Sequence, residues 1–242
     1  MASPATESER AATRGLAARA IGIIVAPRET FEAVAAHPRW FGMLALTLVP
    51  MAVLTFLFLS TETGREALLE QQVSSIEAFG MTVTDEMYAR LRAQLPAARY
   101  WAAGQFMLVW PLVLAIVAGV LFTLFSALLG GAATFRQVFS VTAHTTVISL
   151  LQQLFTLPLA LARGSLGGVT NLAVLAPMLD ETSFLGRLLG AIDVFWIWWT
   201  VVLAIGLSVL YRRRTRPILV GLLAVYGVIA LAIAALMRGS AR

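Results

Sequence analysis

Residues 188–216 read LLGAIDVFWIWWTVVLAIGLSVLYRRRTR. Within 188–211 the one charged side chain is Asp193, and four arginines then fall inside five residues, Arg212, Arg213, Arg214 and Arg216. A helix over 188–211, rising about 1.5 Å per residue, is long enough to cross about 30 Å of hydrocarbon. A short cationic loop tight against such a span orients it, because Lys and Arg are retained on the cytoplasmic side. The next run, 217–237, is again free of charge. Two apolar segments joined by a short arginine loop predict a helical hairpin in a membrane.

The rest of the chain has the same character. Residues 40–61, 100–135 and 137–162 carry no charge. Spans are expected at 40–60, 106–129, 139–162, 188–211 and 217–237. The predicted fold class is all-α: a polytopic bundle of five spans, with an N-terminal interfacial helix and a small helical outer loop. In domain terms, 1–39 is a cytoplasmic segment, 40–237 the membrane domain with its extracytoplasmic loop 61–99, and 238–242 a short tail. The uncharged run 164–179 is short and holds Gly164, Gly167, Gly168 and Pro177. It reads as a loop or a shallow re-entrant segment.

Composition supports this class. The 242 residues are 59% hydrophobic and 13% charged, whereas about a quarter of a soluble domain is charged. More than half the surface of a soluble fold is already apolar, which leaves too little interior for this excess. With no cysteine, a disulfide scaffold and thiolate zinc sites are excluded, and two histidines leave little for another metal site. All 18 basic residues are arginine, scattered around the apolar segments. That distribution fits topology determination and contact with anionic headgroups, not nucleic acid. The Arg-only, Ala-rich usage suggests a GC-rich bacterial genome.

Five spans place the termini on opposite sides. With the N-terminus inside, ten arginines, among them Arg10 and Arg14, lie on the cytoplasmic side. Eight, among them Arg238 and Arg242, lie outside. The 212–216 loop decides the orientation: N-terminus cytoplasmic, C-terminus extracytoplasmic. No signal peptide is expected at the N-terminus, since its apolar stretch 20–26 is cut by Pro27 and is preceded by mostly polar or small residues. Segment 11–36 is expected as interfacial helix, Pro27 in a first turn and Phe31 and Val34 facing the membrane. In the outer loop, Leu69, Val73 and Ile76 form an apolar stripe ended by Gly80, and a second short helix runs from a Thr84 cap to Pro96.

No nucleotide loop, metalloprotease, esterase or dinucleotide motif occurs, so no catalytic, cofactor-binding or metal residue is assigned and no cofactor is expected. The candidate polar residues are intramembrane. Thr142, Thr146, Ser149 and Gln153 fall in one arc of the third span, with Thr145 and Gln152 at its edge and His144 on the opposite side. Such a stripe either lines a pathway or bonds neighbouring helices, and the second is the commoner use. Asp193 is an acid within a span and therefore a candidate with a partner to be named. Gln152 or Gln153 is the expected partner, and capping of its own helix the alternative.

Several stretches resemble the Yip family of five-span membrane proteins, and its prokaryotic branch in particular. They are Pro27-Arg28-Glu29-Thr30-Phe31 with Pro38; Gly130-Gly131 with Phe135-Arg136-Gln137-Val138-Phe139; and 192–198, IDVFWIW, running on to Ile205-Gly206-Leu207. The resemblance implies a five-span fold and a membrane-organising class. The Asp-Leu-x-Gly-Pro motif of eukaryotic trafficking members is absent before the first span, so Rab GTPase binding is not carried over. The expected function is a non-enzymatic adaptor, scaffold or membrane-organising factor of the bacterial inner membrane. Its expected partners are the lipid bilayer and other membrane proteins or further copies of itself. The alternative is a small-solute or ion transporter using the polar residues of spans three and four.

Overall fold

The computed structural model describes residues 15–176, 178–180 and 183–237. Arg10, Arg14, Pro177, Arg238, Arg242 and the 238–242 tail lie outside the described residues. In chain order the helices are α1 (Leu16–Val25), α2 (Pro27–Ala36), α3 (Phe41–Ser60), α4 (Glu62–Ala78) and α5 (Asp85–Phe122). They continue with α6 (Phe135–Arg163), α7 (Phe184–Gly190), α8 (Val194–Leu210) and α9 (Thr215–Leu236). A π-helical turn, Thr123–Leu128, extends α5, and a 3-10 turn covers Leu172–Leu175. Among the described residues there is no β-strand, only the isolated bridge between Asn171 and Asp193.

Four helices are long and apolar enough to cross a membrane: α3, α5 with its π extension to Ser126, α6 and α9. α8 is apolar but has 17 residues. The expected span 188–211 is therefore not one helix. It breaks after Gly190, and α8 begins only at Val194 because the Asp193 side chain caps it there.

The loop 61–99 also differs. The stop expected at Pro96 does not occur, and the helix from Asp85 runs on through Pro96 and Pro111 to Phe122. Proline removes one backbone donor and frees one carbonyl in the preceding turn. For Pro96 that carbonyl belongs to Arg92, which is exposed, so water can satisfy it. Elsewhere the loop follows expectation. Thr84 accepts from the Met87 N–H at 3.3 Å, and Gly80 takes φ 77° just past the end of α4.

The chain groups into two compact units. One is drawn from Met1–Pro50, Phe106–Leu150 and Trp198–Leu222, the other from Met51–Gln105, Leu151–Ile197 and Leu223–Arg242. In the first, residues 138–148 of α6 are all buried, the polar Ser140, Thr142, His144, Thr145 and Thr146 included. Trp40 meets Phe139 edge-on at 5.1 Å, and Tyr211 stacks on Phe125 at 5.1 Å. The Tyr211 and Ser126 hydroxyls share a hydrogen bond of 2.9 Å. The N-terminal segment is two helices, with Pro27 at the first position of α2. Phe31 and Val34 do not face the membrane: both are buried within the protein. Gly206 is the reason, since a Cβ there would stand 2.5 Å from Val141 Cγ1 and 3.1 Å from the Phe31 ring. The missing side chain is the space the phenyl ring uses.

In the second unit the core is Phe58, Leu59, Ala67 and Ala160, with Leu68, Ala98, Ala102, Leu157 and Leu166 packed against it. Thr61 caps α4 by accepting from the Gly64 N–H at 3.0 Å. Leu69 is buried and Val73 and Ile76 half-buried, while Glu70 is exposed, so the apolar stripe of α4 faces inward.

Candidate functional site

The polar stripe of α6 is buried, and most of its hydroxyls return to their own helix. Thr142 donates to the Val138 carbonyl at 3.0 Å and Thr145 to the Thr142 carbonyl at 2.7 Å. In a helix this back-bonding is how a hydroxyl is satisfied without water. Two members reach a second helix. Thr146 shares a 2.7 Å hydrogen bond with Thr47 of α3, both residues being buried. Gln153 donates through Nε2 to the Met51 carbonyl at 3.0 Å and to the Thr55 hydroxyl at 2.6 Å, both on α3. Ser149 and Gln152 are half-buried on the same helix. The stripe thus bonds α6 to α3, with a hydroxyl pair in the first unit and an amide in the second.

Thr47 and Thr55 were not among the expected residues, though the sequence holds a signal for them. They are eight apart in a charge-free run, and Thr146 and Gln153 are seven apart, so each pair lies near one face of its helix. Matching polar spacings on two spans are what a bonded seam requires.

His144 lies fully buried on α6, its Nδ1 2.7 Å from the Ser140 carbonyl oxygen. A carbonyl only accepts, so Nδ1 carries the proton and Nε2 is left as a bare acceptor. Nε2 is buried with no hydrogen-bond partner. Among the described residues no group of three His, Asp or Glu side chains converges as metal ligands would.

Asp193 does not pair with Gln152 or Gln153, because Gln153 is committed to α3 and Asp193 to its own surroundings. Its Oδ1 accepts from the backbone N–H groups of Phe195 at 2.8 Å and Trp196 at 3.2 Å, capping α8. Oδ2 accepts from the Thr170 hydroxyl. The backbone around it is also satisfied: Leu172 N–H donates to the Ile192 carbonyl at 2.9 Å, and Val194 N–H to the Thr170 carbonyl at 3.1 Å. The Asp193 N–H donates to the Tyr226 hydroxyl of α9 at 2.9 Å, and that hydroxyl donates to the Ala191 carbonyl at 3.3 Å. An Asp just ahead of an apolar run is an N-cap signature legible in sequence. Thr170 and Tyr226 lie too far along the chain to be read from it.

The arginine loop forms a third polar feature. Arg212, Arg213, Arg214 and Arg216 are exposed and, with Arg28 and Glu32 of α2, line an open cleft. Arg212 turns the chain between α8 and α9 with φ 51°, a left-handed conformation unusual for a side chain of its size. Arg213 donates to the Leu129 carbonyl at 3.0 Å. Arg28 lies 3.9 Å from Glu32, both more than 60% exposed. The contribution of α2 to this cleft was not expected from the sequence.

Residues 21–237 match the Yip1 domain, a range that starts within α1 and takes in α2 to α9 and the arginine loop. No curated protein and no solved structure matches the chain. With a family match over nearly its whole length and several helices of membrane-crossing length and apolarity, the chain is a multi-pass membrane protein and belongs to the Yip1 family.

Proposed function

We propose that this protein is a non-catalytic, five-span adaptor, scaffold or membrane-organising factor of the bacterial inner membrane. In this reading α8 is the fourth span, the N-terminus is cytoplasmic and the C-terminus extracytoplasmic. The observation that carries the functional part is the commitment of the α6 stripe. Thr146 and Gln153, which a solute pathway would need to present to water, are buried against Thr47, Met51 and Thr55 instead. The orientation is supported by the short 212–216 loop, where position next to two spans gives each arginine most weight. The bacterial assignment is supported by arginine-only, alanine-rich usage.

The chain has no cysteine, so single-cysteine variants can be labelled without background. Cysteine at Thr142, Thr146 or Gln153 should resist a membrane-impermeant maleimide in intact membranes. Rapid labelling of all three would show a water-filled path and support a transporter. For topology, cysteine at Ser3 or Thr215 should be blocked only after the membrane is opened, and cysteine at Ser240 should label in intact cells. Protection of Ser240→Cys would overturn both the orientation and the odd number of spans.

A further inference from the structure

The arginine cleft joins residues that topology alone does not require to meet. The positive-inside effect needs arginines in the 212–216 loop, but it does not need Arg28 of α2 brought beside them. Arg28, Arg212, Arg213, Arg214 and Arg216 line one open concavity, and Glu32 is the single carboxylate there. Glu32 already lies beside Arg28, in an ion pair weakened by exposure. The cleft also adjoins the N-terminus of α9, where the helix carries partial positive charge and a first-turn arginine is unfavourable. Four net positive charges beside a helix N-terminus repel one another, and an anion seated among them relieves that repulsion. Guanidinium groups suit phosphate, whose oxygens accept their paired donors.

We propose that this cleft seats the phosphate of an anionic membrane lipid. A free phosphate compound offers the same chemistry, but the flanking surface favours the lipid. The cleft lies where α8 ends and α9 begins, at the boundary between apolar helix and water. Val220, 66% exposed, follows Arg216 by one turn on the same face of α9. Val25, 72% exposed, lies three residues before Arg28. Arginine at headgroup level with Val220 exposed one turn further along α9 matches a headgroup and its acyl chain, and a soluble phosphate has no use for that valine.

The test uses the purified full-length protein in phosphatidylcholine mixed micelles, titrated with phosphatidylglycerol and followed by native mass spectrometry. Phosphatidylglycerol should be retained in preference to phosphatidylcholine, and excess inorganic phosphate should not displace it. Each exposed arginine near an anionic headgroup is worth on the order of fivefold in binding. Combined Arg212→Gln, Arg214→Gln and Arg216→Gln should therefore weaken retention by at least about tenfold. Combined Arg90→Gln, Arg92→Gln and Arg163→Gln removes equal charge from exposed sites elsewhere and should change it by less than about twofold. Because the loop variant also disturbs insertion, Arg28→Gln, outside the loop, is the second arm and should lose about fivefold. Equal losses in the control would reduce the cleft to diffuse surface charge. Displacement by inorganic phosphate would make it a site for soluble phosphates, and equal retention of the two lipids would overturn the proposal. None of these results bears on whether the α6 stripe is dry, so this proposal and the scaffold reading fail independently.

Discussion

Replacing Thr47 and Thr146 by valine, singly and together, tests the seam between α3 and α6. Valine matches threonine in shape, so the change removes a hydroxyl and leaves packing nearly intact. The shared bond is 2.7 Å long and buried. Each hydroxyl also has a carbonyl within its own helix: Met43 at 3.0 Å and Leu44 at 3.2 Å for Thr47, and Ala143 at 2.7 Å for Thr146. Loss of one partner therefore strands nothing, since the survivor falls back on its own backbone. The cost is that of the interhelical bond alone, which in membrane proteins averages about 0.6 kcal/mol and reaches about 1.7 kcal/mol. Either single variant and the double variant should then lose nearly the same stability, about 0.6–1.7 kcal/mol. Reversible unfolding in mixed micelles with increasing dodecyl sulfate, read by tryptophan fluorescence, measures all four corners of the cycle. The expected coupling energy is at least about 0.5 kcal/mol. Additive losses, with a coupling indistinguishable from zero, would refute the hydrogen bond as the link between these helices.

Gly206→Ala places a methyl group against Val141 and Phe31 and should destabilise the protein by about 1–3 kcal/mol, with partial rescue by Val141→Ala in thermal unfolding. Asp193→Asn keeps an acceptor for the Phe195 and Trp196 N–H groups and should be nearly neutral, whereas Asp193→Ala removes the cap and should cost about 1–2 kcal/mol. Limited proteolysis within 164–193 gives a second reading of the Asp193 variants, and equal cutting of both would count against the cap. On α4, Val73→Asp should expose the loop to protease more than Glu70→Gln, because the stripe that includes Val73 faces inward and Glu70 faces water.

Apolar run length located the long helices because a bilayer demands about 20 unbroken apolar residues, a constraint that leaves little choice. The α6 stripe was legible for a similar reason, since an arc of hydroxyls and amides in lipid must bond something. The partners were harder to read. Gln153 could have met Asp193 or Thr55, and only the packing of α6 on α3 decides it. Pro96 was misread because proline ends helices in water-exposed segments as a rule, whereas here the long α5 carries it. The break before α8 was concealed by hydrophobicity itself. Residues 188–192 are apolar enough to pass for span, and the capping of α8 by Asp193 overrides that count. Phe31 and Val34 were read as lipid-facing because apolar residues near a membrane suit either environment. The hollow at Gly206, far along the chain, makes them core.

The shortness of α8 bears on the membrane itself. Its 17 residues span about 25 Å, against about 30 Å for an average hydrocarbon layer, while the 22 residues of α9 span about 33 Å. As a span, α8 leaves a deficit of about 5 Å beside a neighbour with none. The segment of Thr170, Asn171 and Ala191–Asp193 can fill part of it, since Tyr226 bonds the Asp193 N–H and the Ala191 carbonyl, Thr170 bonds the Asp193 carboxylate, and the Ile192 and Thr170 carbonyls accept from Leu172 and Val194. The remainder falls on the lipid, which must thin on one flank of the molecule at a cost of fractions of a kcal/mol per Å. With α8 as a span, such hydrophobic mismatch favours thin bilayers and draws other short-spanned proteins into the same thinned patch.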